Sequence, residues 1–381
     1  MKRRKIRRHK LRNQNKVLII SVITLTLFIG IGYAAFQTVI NINVKGTIKE
    51  YDKSNLYVSS SGSDVTGRGT IKRPYATIQK AYDEALNDAT IYIMNNITAL
   101  SSINMTENKE IIITSHSTGN TINSVVRDNL LTESIFKVSQ GEITLQNIII
   151  DGNNVEADNC LISTTSKLNI NNGTIIKNGK NISSNVGGIK VENGTLNING
   201  GTITNNTTSG DTGAIQGINS IITINNGIIS SNYSEWSGAG LSAQSSTLYI
   251  NGNTKIVNNE CKWTGCGIAL NNTKTTIDNV LIDGNKNTGS YAGAGITLTN
   301  KTELTFNNGI ISNNVATNDT GGGVRVDNST LIMNGGIIKK NMAPSNGGIW
   351  KSSLGTFTNN GGIICENTPA NSYETHQACP N

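Results

Sequence analysis

A repeat of about 27 residues constrains this 381-residue chain more than any other feature of its sequence. Aligned on the pattern N-x-G-x-I-x-x-N, the repeats place asparagines at Asn178, Asn206, Asn232, Asn258, Asn285, Asn314, Asn341 and Asn367, a mean spacing of 27. A second marker, a small residue followed by an aliphatic one, runs in phase: Gly187-Gly188-Ile189, Gly213-Ala214-Ile215, Gly240-Leu241, Gly267-Ile268, Gly295-Ile296, Gly323-Val324 and Gly348-Ile349. Each unit holds about three short runs of alternating apolar and polar residues, such as Leu168/Ile170, Leu196/Ile198 and Leu304/Phe306, and alternation marks a strand with one buried face.

Strands that repeat on a constant period, with no helical pattern of ten or more residues after Leu86, predict an all-β chain. Wrapping one unit into a three-sided turn and stacking the turns pairs each strand with its counterpart one period on. The expected fold is therefore a right-handed parallel β-helix over residues 91–368, a three-sided solenoid of about ten turns and, at ~4.8 Å per turn, a rod of about 50 Å. Asn and Gly suit its corners because they tolerate positive φ, and stacked asparagines can bond along the axis. The asparagine column is assigned to the scaffold.

Ahead of the repeats, residues 1–16 form a basic tail with nine positive charges and no acid, and Val17 to Phe36 is uncharged and mostly apolar. About 20 helical residues at ~1.5 Å each span a bilayer core of ~30 Å, and the basic flank stays in the cytoplasm. Two readings stay open: a single-pass signal anchor with the ectodomain outside, or a signal peptide cleaved near Ala34 that releases a secreted protein. Residues 37–55 read as a linker, 56–90 as an N-terminal cap and 369–381 as a C-terminal tail. The whole chain carries 32 bases against 25 acids, but without the nine tail bases 23 face 25, a net charge of −2. The outer part lacks the basic footprint of a nucleic-acid binder.

Three stretches carry family resemblances. GIGYAAFQTVINI (30–42) resembles the leader of secreted or anchored surface proteins of Gram-positive bacteria. The repeats Ile175-x-x-Asn178, Ile203-x-x-Asn206, Ile229-x-x-Asn232 and Ile311-x-x-Asn314, with their Gly-Ile partners, are similar to those of polymorphic membrane protein and autotransporter-type β-helix adhesins, with Ile in place of Phe and no C-terminal membrane barrel. Tyr57-Val58-Ser59, Gly62, Asp64, Gly67, Gly69 and Pro74 to Ala81 resemble the opening of pectate-lyase-like β-helix proteins, in which a short helix plugs the first turn. Here Ile78, Ala81, Tyr82, Ala85 and Leu86 give that helix one apolar face, with Thr77 as its N-cap.

Five cysteines in an exported chain leave one unpaired. Cys261 with Cys266, and Cys365 with Cys379, are candidate disulfides, and Cys160 reads as a buried thiol. His9, His116 and His376 are scattered and no Cys-x-x-Cys occurs, so no metal site and no cofactor is expected. Calcium enters only if the chain is a lyase.

Equivalent positions in successive turns become neighbours along the rod. Two residues before each Gly-rich marker stand Asn185, Asp211, Trp236, Trp263, Tyr291, Asp319 and Ser345. Trp236, Trp263 and Tyr291 thus form a candidate aromatic ladder for an extended glycan, or a stack that only covers a loop. Asp211 and Asp319, four turns and about 19 Å apart at ~4.8 Å per turn, are too distant for a glycosidase pair. Beyond the marker, Lys190/Glu192 and Arg325/Asp327 read as salt pairs on a solvated face. Asp83, Glu84, Asp128 and Asp151 in the less regular first third are the acids left for a hidden site. The expected function is adhesin-like binding of a polysaccharide or cell-surface protein by a monomeric rod at the cell surface. A polysaccharide lyase or glycoside hydrolase is the alternative, and a structural envelope protein a second.

Overall fold

The computed structural model describes residues 15–27, 29, 51–116, 121–183, 186–289, 293–370, 373–375 and 379. The chain divides into two compact units, Met1–Glu50 and Tyr51–Asn381. In the first, residues 15–27 are helical with exposed aliphatic side chains. Ser21, Thr24 and Thr26 each donate their hydroxyl to the carbonyl four residues earlier. Among the described residues no helix is long and apolar enough to cross a membrane. Residues 28 and 30–36, which would complete the expected Val17 to Phe36 span, lie outside those described.

The second unit is a parallel β-solenoid of about ten turns, its strands arranged in sheets of twelve, eleven, seven and ten. One turn runs Lys167–Asn171, Ile175–Lys177, Lys180–Asn181 and Ile189–Glu192. The next strand, Thr195–Asn199, then lies parallel against the first, with Leu168 opposite Leu196 and Ile170 opposite Ile198. The three longer strands are the three expected faces. The two-residue strand is an addition at the corner between the second and third, too short to show as an alternating run.

Alternation decides which way each strand faces. In Thr195–Asn199, Leu196 and Ile198 are buried while Thr195, Asn197 and Asn199 point outward. One inward column is Ile176, Ile203, Ile229, Ile256, Ile282, Ile311, Ile338 and Ile364, each at most 1% exposed. β-Branched side chains pack well on a pleated surface, and stacking like on like leaves few voids. At the marker glycines consecutive turns nearly touch: a Cβ on Gly267 would lie 2.5 Å from the Gly295 carbonyl oxygen.

Three residues past each of those isoleucines runs a buried amide ladder. Asn206, Asn232, Asn259, Asn285, Asn314 and Asn341 each donate from Nδ2 to the Oδ1 of the next member, ending on Asn367, at 2.9–3.1 Å. The same groups also donate to isoleucine carbonyls of the preceding turn, as Asn232 does to Ile203 at 3.1 Å. The expected column needs correcting at two places. Asn178 and Asn258 sit one residue before the ladder, at the corner itself, with φ of 58° and 55°. Asn259 fills the ladder position in its turn, and one turn before Asn206 Gly179 does, donating its backbone N–H to Asn206 Oδ1 at 3.0 Å. Paired asparagines at 205–206, 258–259 and 313–314 perform both jobs side by side, and a single-column alignment merges them.

The N-terminal plug is a helix, Ile78–Glu84, whose N-cap Thr77 accepts from the Lys80 N–H at 3.1 Å. Asp64 fixes the approach, accepting from the Ala76 and Thr77 N–H groups and the Thr77 hydroxyl. Ile78, Ala81, Tyr82 and Ala85 are buried, but Leu86 is 56% exposed. The expectation failed there because Ala85 caps the helix in an extended conformation, ψ 139°, and turns the chain outward. The solenoid also starts earlier than residue 91: Asn55–Val58 already pairs with Thr90 to Ile93. At the far end, Cys365 is joined to Cys379, Tyr373 packs edge-on against Phe357, and Glu374 Oε1 accepts from Asn367, so the ladder ends on a partner.

Candidate functional site

The outer face of the ten-stranded sheet carries a groove of about 430 Å³. Its floor is set by register: Gln216, Ser242, Ala269 and Thr297 form one outward column, and Ile218, Gln244, Asn271 and Thr299 another. One wall is the stack of loops that lead from the two-residue strands into this sheet, bringing Asp211, Ser237, Trp263 and Thr264 to the rim.

These loops are held in register beyond the strands. The Trp263 N–H donates to the Trp236 carbonyl at 2.8 Å, and the Trp236 N–H to the Gly210 carbonyl at 3.1 Å. Cys261 is bonded to Cys266, closing the loop that presents Trp263. Gly265 turns that loop into its strand at φ 60°, and Thr264 donates its hydroxyl to Thr297 on the floor at 2.8 Å. Lys262 reaches back to both Glu235 oxygens, at 2.7 and 3.0 Å. The indole rings of Trp236 and Trp263 lie near parallel, 28° apart, with centroids 5.9 Å from each other. That spacing exceeds close face-to-face contact, so the rings are offset. Each stays accessible, at 51% and 42% exposure. Tyr291, the third expected member, lies outside the described residues.

The predicted column is shifted in two places. The pairings Thr207 with Tyr233 and Ile215 with Leu241 set Asp211 opposite Ser237, not opposite Trp236. Ser345 bridges to Thr320 and is not opposite Asp319. Asn185 lies outside the described residues. Asp211 is half-buried with no hydrogen-bond or ion-pair partner among the described residues, and burial pushes its carboxyl above the usual range. Asp319 instead pairs with Arg325 at 3.5 Å. Lys190 with Glu192, at 3.0 Å, and Arg325 with Asp327, at 3.6 Å, are the ion pairs expected of a solvated face.

The acids of the first third have structural partners. Glu84 bonds Lys53 and Lys80, which hold its carboxyl down at about 2. Asp83 accepts from Gln79, Asp128 from the Leu130 N–H, and Asp151 from Asn178 and Lys177. Cys160 is buried and free, its thiol pushed up by burial. It lies just before a strand, beside Arg127, whose guanidinium donates to the Asn159 and Cys160 carbonyls. No group of three or more potential metal ligands occurs among the described residues.

Sequence reasoning missed a second aromatic group. Tyr57 and Tyr92 stack at 5.0 Å, with His116 edge-on to both, on the twelve-stranded face. The tyrosines are 35 residues apart, off the repeat period, because the cap helix intervenes. The floor residues of the groove fall on outward strand positions that the repeat alignment already sets one period apart, but nothing in their types marks them as a site.

No protein-family model and no curated protein matches the chain. Among solved structures, a rhamnogalacturonan lyase is similar at 13% identity, across 80% of this chain and 87% of that one, with a TM-score of 0.25.

Proposed function

We propose that this protein is a surface-exposed glycan-binding β-solenoid, in which the groove of the ten-stranded face and its tryptophan rim hold an extended polysaccharide without cleaving it. The observation that carries this reading is the exposed, near-parallel Trp236/Trp263 pair, of which Trp263 lines the groove beside a floor of amides and hydroxyls. Sugar C–H faces pack on indole surfaces, while the hydroxyls need exchangeable donors and acceptors such as Gln216, Gln244 and Asn271. The two carboxylates of the groove stand four turns apart, Asp211 in the loop before Ile215–Ile218 and Asp327 just after Val324–Val326. At ~4.8 Å per turn that is about 19 Å, beyond the 5–10 Å of a glycosidase pair. A lyase or glycosidase is the competing reading, and release of unsaturated or reducing ends from a polysaccharide panel would establish it.

Export and anchoring through Val17 to Phe36 belong to the same proposal. Nine bases ahead of an uncharged apolar stretch support it, as do helical hydroxyls folded back onto their own backbone. The test is binding of the full chain to a glycan and polysaccharide array, beside a Trp236→Ala/Trp263→Ala variant with unchanged circular dichroism. A loss of about tenfold in the variant is expected, each aromatic-ring contact contributing on the order of 0.5–1.5 kcal/mol beyond its buried area. Binding by neither form overturns the reading.

A further inference from the structure

The groove's charge pattern says which glycans it takes. The described residues that line it include two carboxylates and no lysine, arginine or histidine. Three cations on its borders are paired, and Lys301, which follows the lining residue Asn300, lies three turns from Asp211. Lys262 is held by Glu235 and Lys190 by Glu192, while Arg325 lies between Asp319 and Asp327 with its guanidinium 4.3 Å from the Trp350 ring centroid. Asp327 shares its charge with Arg325. Asp211 has no such partner among the described residues, and stands half-buried at the rim, where screening by water and salt is reduced.

We propose that the groove selects uncharged glycan chains and rejects polyuronate and sulphated ones, with Asp211 as the residue that sets this preference. The proposal rests on the glycan-binding reading above. An incoming carboxylate or sulphate would meet the Asp211 charge and find no cation to replace its lost hydration, which is costly for any desolvated ion. A neutral sugar meets the same carboxylate as an acceptor for two neighbouring hydroxyls, a charge-assisted contact stronger than a neutral one. The floor then continues with Gln244, Asn271 and Thr299, one per turn, whose amides and hydroxyl both donate and accept.

The test is titration of the full chain with six-sugar oligomers of each class: cellohexaose, mannohexaose and N-acetylchitohexaose against hexagalacturonate and a heparin hexasaccharide. At least one neutral oligomer should bind tenfold or more tighter than both acidic ones. Raising the salt concentration should strengthen the acidic oligomers' binding and leave the neutral ones unmoved. Asp211→Asn should weaken the neutral oligomer and strengthen the acidic ones, so that the ratio collapses, and Asp211→Lys should reverse it. Equal or tighter binding of the acidic oligomers by the wild-type chain, or an unchanged ratio in Asp211→Asn, would overturn the preference. If the Trp236→Ala/Trp263→Ala variant still lost binding in that case, the glycan reading would stand alone. Binding of no oligomer of either class would remove both.

Discussion

Asn232 shows how much one side chain does in this molecule. Its amide donates to Asn259 Oδ1 and to the carbonyls of Ile203 and Ser230, and its Oδ1 accepts from Asn206, all at 1% exposure. Buried donors and acceptors that lose a partner keep the full cost of desolvation, about 1–3 kcal/mol each. Asn232→Ala leaves Asn206 and two carbonyls short of a partner, so a loss of at least about 2 kcal/mol in urea unfolding is expected. A neutral result would show that water replaces the amide. Asn258, one residue before the ladder at φ 55°, has no such role, although both positions carry the same residue type.

The cap helix illustrates a charge acting at the level of an element. Glu84 at its end ties Lys80 of the same helix and Lys53 of the segment before the first strand, at 2.7 and 2.8 Å. Its carboxyl is held down at about 2, below the ordinary glutamate value of 4.5, by those two hydrogen bonds. A carboxylate depressed on folding contributes stability above its unfolded value, and that contribution is lost as pH falls through the folded value. The stabilisation from Glu84 is therefore complete above about pH 4.5 and declines towards pH 2. The pairs are partly exposed, so solvent screening keeps the effect small. Amide protection factors over Ile78–Glu84, that is, exchange corrected for its intrinsic pH dependence, should fall between pH 4.5 and 2 in the wild type and change less in Glu84→Gln. An equal fall in both would assign the pH effect to other acids.

At the scale of the whole rod, each turn touches only its neighbours, so stability is close to a sum over turns and interfaces. The register predicts where a turn can be removed. Lys286 pairs with Val315, and Asn285 is followed in the amide ladder by Asn314, 29 residues on. Deleting residues 286–314 joins Asn285 to Val315 and keeps both the ladder and the isoleucine column in step. The shortened protein should keep its far-ultraviolet circular dichroism per residue, and small-angle scattering should find the rod shorter by about 5 Å, one strand spacing. Deleting 286–300 breaks the period and should abolish cooperative unfolding. If both deletions behaved alike, the nearest-neighbour account would be wrong.

The sequence by itself determined the solenoid, because a 27-residue period and a two-residue alternation are local properties that fix which side chains face inward and which strands pair. It also placed the cap helix and its Thr77 cap, and set Trp236 and Trp263 one turn apart. Tertiary structure alone decided between neighbouring residues of the same kind, setting Asn259 and not Asn258 in the ladder, and Asp211 beside Ser237 and not beside Trp236. A shift of one residue leaves composition and period almost unchanged, yet it turns a side chain from the core to the corner or from one column to the next. The repeat alignment already sets the floor's Gln, Asn, Ser and Thr residues in outward columns one period apart. The groove they line was not legible, because its wall is built by loops whose placement only the stacked coil decides.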